Sequence, residues 1–300
     1  MTLFILLLIL AWERVFKMGD RWQLERYLSP LFARIKSYSL WGSLIMTVLV
    51  ALLTWKLIDI SDSIAFSIPA ILLGIIISLL CIGAGELRHD YRGYLQAVRH
   101  DDIEQQNIYL ARLMMIQGKL PDTAIPVNTL APVNALSETI KDGRLREIQN
   151  ALIWINFRYY LAPIFWLVVL GKFGPAMLMG YGCLRAYQGW LAQHATAVQR
   201  AQSGVDGILH WLDWLPARLA GIAYALLGHG EKALPAWIAS LSDFRTSQYR
   251  VISQLAQFAL SKEPHLNPLE TPVAAVTLAK KATFTILIVV ALLTIYGAII

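Results

Sequence analysis

The chain has 300 residues, of which 57% are hydrophobic and only 15% are charged. Soluble domains carry about a quarter charged residues, so this composition excludes an ordinary soluble domain and predicts an integral membrane protein. The formal net charge is +6, but the basic residues form no single long run, which argues against a nucleic-acid partner. Cys81 and Cys183 lie far apart in apolar segments without metal-ligand spacing, and we expect free buried thiols.

The first segment is MTLFILLLILAWERVF, over residues 1–16. It has no basic start and no small-residue cleavage site, and Glu13 and Arg14 follow the apolar run at once, which is not typical of a cleaved signal peptide. Twelve apolar residues extend about 18 Å as a helix, against a bilayer core of about 30 Å. The segment is therefore predicted to be a retained, short membrane helix.

Residues 13–38 carry an excess of lysine and arginine, which predicts a cytoplasmic position for this loop. Two apolar runs follow, over 40–58 and 64–85, and each is long enough to form a membrane helix. The sequence DISDS at residues 59–63 lies between them and predicts a turn. The two helices would then form a hairpin that returns the chain to the cytoplasm.

Residues 86–150 are polar and predict a cytoplasmic helical region. Within HDDIEQQNIYLARLMMIQG, apolar residues at helical spacing predict a helix that begins at Asp101 and Asp102 and stops at Gly118. Three prolines between residues 121 and 132 indicate a loop, after which ETIKDGRLREIQNALIWIN begins another helix.

Two further membrane segments are predicted over 151–171 and 175–190, with Gly171, Gly174 and Pro175 in the turn between them. Small residues in the second segment indicate close packing between helices.

Residues 229–281 are polar again and predict a second cytoplasmic helical region, followed by a last membrane segment over 283–300. The pair Lys280–Lys281 places the start of that segment on the cytoplasmic side. Both flanks of 205–228 then belong to the same side, so this segment cannot cross the membrane once. We predict that it lies in the interface or re-enters, with a break at Pro216.

Several ionisable residues fall in these apolar segments: Asp206, His210, Asp213, Arg218, Arg158 and Arg185. The first three are spaced i, i+4 and i+7, so they share one helical face. Ionisable groups that face lipid cost several kcal/mol, so they normally face a cavity, a partner or water. Three interpretations are open: the wet face of an interfacial helix, a structural ion-pair network, or a pocket in which arginines hold an anionic ligand such as a phosphate.

The sequence LLGHGEKALPAW contains a second candidate site. Lys232 could bind phosphate, with His229 and Glu231 beside it, but the spacing and the Ser or Thr of a P-loop are missing. The alternative is the end of a helix, capped by Gly228 or Gly230. No Ser-His-Asp, HExxH or CxxC arrangement is present, and we assign no metal site, although the spacing of Asp206, His210 and Asp213 would allow one. The sequence SDFRTSQYR further on offers either surface hydrogen-bonding groups or a helix start.

Five stretches carry a family resemblance: ERVFKMGDRWQLE, INFRYYLAPIFWL, DWLPARLAG, GHGEKALPAW and TSQY. They closely resemble the AmpE family of bacterial inner-membrane proteins, and the likeness runs over nearly the whole chain. The resemblance implies an accessory role in the regulation of inducible β-lactamase, alongside a cytosolic amidase that recycles peptidoglycan fragments.

The AmpE family in turn resembles the CobD/CbiB family, which joins adenosylcobyric acid to an aminopropanol group in cobalamin synthesis. The shared elements are LAPIFW, DWLPARL and GDRW, which contains Asp20 and Trp22. This resemblance implies an all-α, polytopic, CobD/CbiB-like helical bundle. WINFRY and YGCLRAYQ depart from the enzyme family, because arginines stand where that family carries carboxylates, and this departure favours a regulator over a ligase.

We therefore predict a single integral membrane domain over 1–300 that acts as an inner-membrane regulator. It would bind an anionic cell-wall fragment, lipid or nucleotide in a cytoplasm-facing pocket. The alternative is a divergent membrane enzyme, amide-forming or nucleotide-using, with Asp206, His210 or Asp213 in acid–base roles. The expected partners are membrane lipids and such a ligand, a homodimer is left open, and no cofactor is assigned. The candidate ligand-binding residues are Arg158, Arg185, Asp206, His210, Asp213, Arg218, His229, Glu231, Lys232, Asp20 and Trp22.

Overall fold

The computed structural model describes residues 2–16, 23–35, 38–63, 67–115, 138–260 and 267–297. Every regular element in these ranges is helical, which confirms the all-α class. By length and composition, four of the described helical segments can cross a bilayer: Leu40–Asp62, Ile68–Arg99, Leu145–Val169 and Glu270–Ile295. They overlap four of the predicted membrane segments, and the chain is an α-helical membrane protein.

The described helices, in chain order, are α1 (Thr2–Phe16), α2 (Leu24–Phe32), α3 (Leu40–Asp62), α4 (Ile68–Cys81), α5 (Gly85–Arg99), α6 (Ile103–Met115), α7 (Glu138–Asn156), α8 (Ala162–Val169), α9 (Gly174–His194), α10 (Ala197–Ser203), α11 (Val205–Leu227), α12 (Gly230–Leu241), α13 (Gln248–Ala259) and α14 (Glu270–Ile295). A π-helical turn over Phe157–Leu161 joins α7 to α8. A 3-10 turn over Gly171–Phe173 joins α8 to α9, which confirms the turn predicted there. Gly171 has a φ of 51°, a left-handed conformation that glycine adopts without steric cost.

The turn predicted at residues 59–63 is wrong, because α3 continues through Asp62. The Ser61 hydroxyl donates a hydrogen bond to the Leu57 carbonyl at 2.7 Å. A serine that bonds back to the preceding turn in this way is compatible with a helix. The short polar sequence is therefore the last turn of the helix rather than a break after it.

The helix predicted from Asp101 onward is α6, and its start is confirmed. The Asp102 carboxylate accepts a hydrogen bond from the Gln105 N–H at 3.1 Å, which satisfies one of the free donors at the helix start. The stop predicted at Gly118 and the proline loop between residues 121 and 132 lie outside the described residues. The next helix is found as α7.

The chain divides into two compact units. The first comprises Met1–Gly85, Tyr159–Pro216 and Ile286–Ile300. The second comprises Glu86–Arg158 and Ala217–Thr285. Each unit buries its own apolar core.

The core of the first unit is built on α1, α2, α4, α8, α9 and the end of α14. Its buried residues are Ile5, Leu6, Ile9, Leu24, Ile77, Cys81, Ile82, Ile164, Leu167, Val168, Leu178 and Val290. In α9 the glycine at position 182 lets the neighbouring helices approach closely: a Cβ there would lie 2.9 Å from a Leu24 methyl carbon and 3.1 Å from the Cys81 sulfur. This contact confirms the close packing predicted from the small residues of α9.

Helix α3 belongs to the same unit but keeps most of its apolar side chains exposed. Leu53 is 62% exposed and Ile45 is 61% exposed, although the helix is apolar around its whole circumference. A helix of this kind is stable where lipid covers the exposed side chains.

The break predicted at Pro216 is wrong, because α11 is one helix from Val205 to Leu227. A proline removes one backbone hydrogen bond, which can kink a helix without ending it. The helix ends before Gly228, as the second interpretation of LLGHGEKALPAW predicted. A Cβ at Gly228 would lie 2.5 Å from the Ala259 carbonyl oxygen, so the approach of α13 also requires glycine here.

The second unit has a core between α5, α6 and α7, formed by Tyr94, Leu110, Leu145, Ile148 and Leu152. Helix α7 also packs on α13. Trp154 and Tyr249 meet edge to face at 5.6 Å, and the Gln257 side chain donates a hydrogen bond to Asn150 Oδ1 at 2.9 Å. One face of α7 is thus apolar, and the other is held by specific polar and aromatic contacts.

Candidate functional site

In the first unit, helix α9 presents three polar side chains on one face. Tyr181, Arg185 and Gln188 are spaced i, i+4 and i+7, so they form a stripe along the helix. Each of them bonds to a charged or polar group on another helix. This stripe is the most polar part of the otherwise apolar interior of the unit.

Arg185 is the centre of the stripe and is 5% exposed. Its Nε and Nη2 both lie 3.2 Å from Glu25 Oε1, and Nη2 also donates to the Cys81 carbonyl at 3.2 Å. The guanidinium carbon lies 4.1 Å from the centre of the Tyr159 ring. We call Arg185, Glu25, Tyr159 and the Cys81 carbonyl the Arg185 cluster. A cation so enclosed is stabilised by its carboxylate, its carbonyl and the ring face together.

Asp213 is bonded to the same stripe one turn away. It is 2% exposed, and the Tyr181 hydroxyl donates to its Oδ1 at 2.8 Å. A carboxylate in such a position needs hydrogen-bond donors to offset the loss of water. The pair therefore holds an ionisable group inside the unit and keeps it in one orientation.

Asp206 occupies the outer end of the stripe, and half of its side chain is exposed. Arg200 donates to both of its oxygens, from Nε at 2.9 Å and from Nη2 at 3.0 Å, and Gln188 also donates to it. These bonds connect α9, α10 and α11 through the Asp206 carboxylate. His210, on the same helix, is half-buried and meets the Trp211 ring edge to face at 5.9 Å.

Arg218 belongs to the second unit, where it is 2% exposed. It donates to the carbonyls of Ser240 at 2.9 Å and Asp243 at 2.7 Å, and to the Gln248 side chain at 2.7 Å. Its own carbonyl accepts a hydrogen bond from the Trp237 indole at 2.8 Å. These bonds join α11 to α12, to the following loop and to α13.

The remaining candidates lie at other places. Arg158 is buried in the second unit, with its guanidinium 5.4 Å from the Trp154 ring centre. His229 precedes α12 and its backbone N–H donates to the Ala259 carbonyl, whereas Glu231 and Lys232 are exposed on the first turn of that helix. Asp20 and Trp22 lie outside the described residues. Within the described ranges, no group of three or more His, Cys, Asp or Glu residues could hold a metal ion.

Three residues of this polar arrangement in the first unit were not predicted: Glu25, Tyr159 and Tyr181. Glu25 is an acidic residue of α2, in a segment otherwise rich in lysine and arginine, and it lies 160 positions from its arginine. The two tyrosines are uncharged and lie in apolar segments, so nothing in the sequence distinguishes them from core residues. The only sequence signal was the unusual cost of Arg185 itself, which implied partners without naming them.

We expect the Asp243 carboxylate to make the second unit sensitive to acid. Hydrogen bonds from the Thr246 hydroxyl and from the backbone N–H groups of Thr246 and Arg245 lower its pKa from 3.8 to about 2. Its contribution to stability is therefore present above the usual pKa and is lost as the pH falls through about 2. In thermal unfolding, Asp243→Asn should lower the Tm of the protein near neutral pH. The difference from the unmodified chain should shrink as the pH falls toward 2. A difference that stays constant over that range would contradict the assignment.

The chain is similar to known proteins over its whole length. Residues 1–300 match the family model described as "Regulatory signalling modulator protein AmpE". The chain is 50% identical over 302 residues to "Protein AmpE" of Shigella flexneri, with 100% of each chain covered. No solved structure matches it.

Proposed function

Because this chain belongs to the AmpE family of regulatory signalling modulator proteins, we propose that it regulates inducible β-lactamase expression from the bacterial inner membrane. In this proposal its signal is an anionic ligand, and the arginine that receives the ligand is Arg185. A cell-wall fragment with free carboxylates is the ligand that best fits a β-lactamase regulator.

The observation that carries the proposal is the placement of Arg185. The burial of a guanidinium that is only 5% exposed in an apolar helical unit costs free energy. Ionisable residues in such positions usually belong to a binding site or to a pathway for ions or substrates. Its planar fork of donors matches a carboxylate or a phosphate. The Tyr159 ring on its face orients the fork and excludes water from one side.

Other candidates are less suited to hold the ligand. Arg218 already bonds to three acceptors of its own unit, and Asp206 is joined to Arg200 at a half-exposed position. Both arrangements are explained by packing. The Arg185 cluster is different because its cation is held by a carboxylate on a short helix, which another anion can replace.

The test is a binding titration with the full-length protein purified in detergent or in nanodiscs. Three probes separate the sources of the anion: muramyl dipeptide for cell-wall fragments, ADP for nucleotides, and phosphatidylglycerol in the nanodisc for lipids. We expect the first to bind, and Arg185→Gln to weaken that binding by about tenfold or more, the loss expected for a charge-assisted hydrogen bond. Arg250→Gln, at an exposed position of the second unit, is the control.

In cells, Arg185→Gln should reduce induced β-lactamase activity while the amount of protein in the membrane stays the same. Arg250→Gln should leave both unchanged. The proposal is wrong if the unmodified protein and Glu25→Gln bind none of the three probes, or if Arg185→Gln keeps full binding and full induction.

One observation favours a second candidate, an amide-forming membrane enzyme of the CobD/CbiB type. A buried carboxylate bonded to a phenol, as in Asp213 and Tyr181, can accept a proton from an attacking amine. Incubation with an amine, a carboxylic acid and a nucleoside triphosphate would then yield an amide product, and Asp213→Asn would abolish it. If the protein gives no product with any such mixture, the candidate is eliminated.

A further inference from the structure

The contact between Glu25 and Arg185 is incomplete on the carboxylate side. Both nitrogens of the arginine fork lie against the same oxygen, Oε1, each at 3.2 Å. The other oxygen, Oε2, is buried and has no hydrogen-bond partner in the part of the chain that the structure describes. A buried acceptor without a donor costs about 1–3 kcal/mol, and more when it carries charge. Glu25 thus uses only one of its two oxygens to bind the Arg185 guanidinium, and its contact is weaker than a bidentate one.

An incoming carboxylate or phosphate can do better. It can place two oxygens on the two donors, which is the bidentate arrangement that arginine favours. Glu25 cannot stay while this happens, because two anions would then compete for one guanidinium in a poorly solvated place. Its side chain is 27% exposed, so part of it already lies at the surface of the unit.

The element that carries Glu25 is suited to move. Helix α2 has nine residues and contains Pro30. Besides Glu25, it is held by Leu24, which lies against Gly182 of α9, and by the Phe32 ring, 5.1 Å from the Tyr187 ring. Loss of the Glu25–Arg185 contact would leave the apolar contacts of Leu24 and Phe32 between α2 and α9 in place.

We infer that Glu25 is an internal competitor of the ligand: its carboxylate occupies the anion position on Arg185 until the ligand displaces it, and α2 then shifts. This inference rests on the proposed function and adds the regulation of that site. Ligand binding exchanges one anion for another on the same arginine. The resulting signal is the release of α2, the element that precedes the membrane helix α3 in the chain.

The first test compares the affinity of Glu25→Gln with that of the unmodified protein, using muramyl dipeptide as the probe. Glutamine keeps the shape and an acceptor for Arg185 but removes the competing charge. We expect its Kd to fall by about tenfold or more, because a carboxylate no longer has to be displaced. Glu104→Gln, an exposed glutamate of the second unit, is the control and should bind as the unmodified protein does.

The outcomes separate the two proposals. If Glu25→Gln binds the probe equally or more weakly while Arg185→Gln loses binding, Glu25 is not a competitor, and the proposed function survives. If neither the unmodified protein nor Glu25→Gln binds, the proposed function fails and the inference fails with it. Binding by Glu25→Gln alone would support the inference strongly.

A second measurement guards against a variant that misfolds. Tyr27 on α2 is 58% exposed, and both described cysteines are buried, so Tyr27→Cys can carry a spin label. Saturating muramyl dipeptide should increase the mobility of the label. In the Glu25→Gln background the label should already be mobile. A spectrum that does not change when the probe is bound would overturn the inference.

Discussion

Replacing Arg218 with alanine is expected to lower the free energy of unfolding by at least about 1.5–3 kcal/mol, the usual contribution of a hydrogen bond to a charged group, because the side chain makes three such bonds. The side chain is 2% exposed and satisfies the carbonyls of Ser240 and Asp243 and the Gln248 side chain. All three acceptors would lose their donor together. Arg218 thus supplies the polar bonds that join α11 to α12 and α13, beside the close packing at Gly228.

The measurement is unfolding in a denaturing detergent, followed by the loss of the helical circular-dichroism signal. Arg218→Lys should fall between the unmodified protein and Arg218→Ala, because an ammonium cannot reach three acceptors with the fixed fork of a guanidinium. Arg250→Ala is exposed and should change stability by less than about 0.5 kcal/mol. Equal stability of Arg218→Ala and Arg250→Ala would show that the network contributes nothing.

Much of the fold follows from the sequence because the physical signals are local. An uncharged run of helical length predicts most of α3 and the second half of α14, and Gly171 with Pro175 predicts the turn before α9. The errors are local as well. DISDS and Pro216 carry the residue types of a break, yet α3 continues through Asp62 and α11 through Pro216, because a weak local preference does not end a helix.

The site was predicted less completely, and the reason is distance along the chain. Helical spacing correctly placed Asp206 and Asp213 on one face, and both bond to α9 through Gln188 and Tyr181. Spacing within α11 could not show that Arg218 donates to Ser240, Asp243 and Gln248 and not to the aspartates of its own helix. No rule of periodicity relates Glu25 to an arginine 160 residues away. Which residues pair over such a distance in the sequence depends on how the helices pack.

A structural ion-pair network was one of the alternatives to a ligand pocket. Asp206 does form an ion pair at a half-exposed site, but its partner is Arg200, which the sequence analysis did not predict. Exposed pairs of this kind contribute about 0–1 kcal/mol. Neither this pair nor a wet helix face accounts for the buried Arg185. That residue therefore needs an explanation of its own, and stability and function can be separated there by mutation.

The replacement of both charges in the Arg185 cluster should separate its contribution to stability from its contribution to regulation. Arg185→Met alone leaves Glu25 in an apolar site, and Glu25→Met alone leaves the guanidinium without its carboxylate. Each should lower the free energy of unfolding by about 2–4 kcal/mol, somewhat less than for a fully buried pair because Glu25 is 27% exposed. The double variant should recover to within about 1 kcal/mol of the unmodified protein, since well-packed apolar residues often replace a buried ion pair without loss.

The double variant should nevertheless fail to support β-lactamase induction. A protein that unfolds like the unmodified chain, reaches the membrane in equal amount and fails to support β-lactamase induction would show that the charges serve the signal rather than the fold. Glu104→Met with Arg250→Met, a pair of exposed charges in the second unit, is the matched control and should keep induction. Full induction by the Arg185 and Glu25 double variant would assign the cluster to packing. The signal would then have to enter at another charged group.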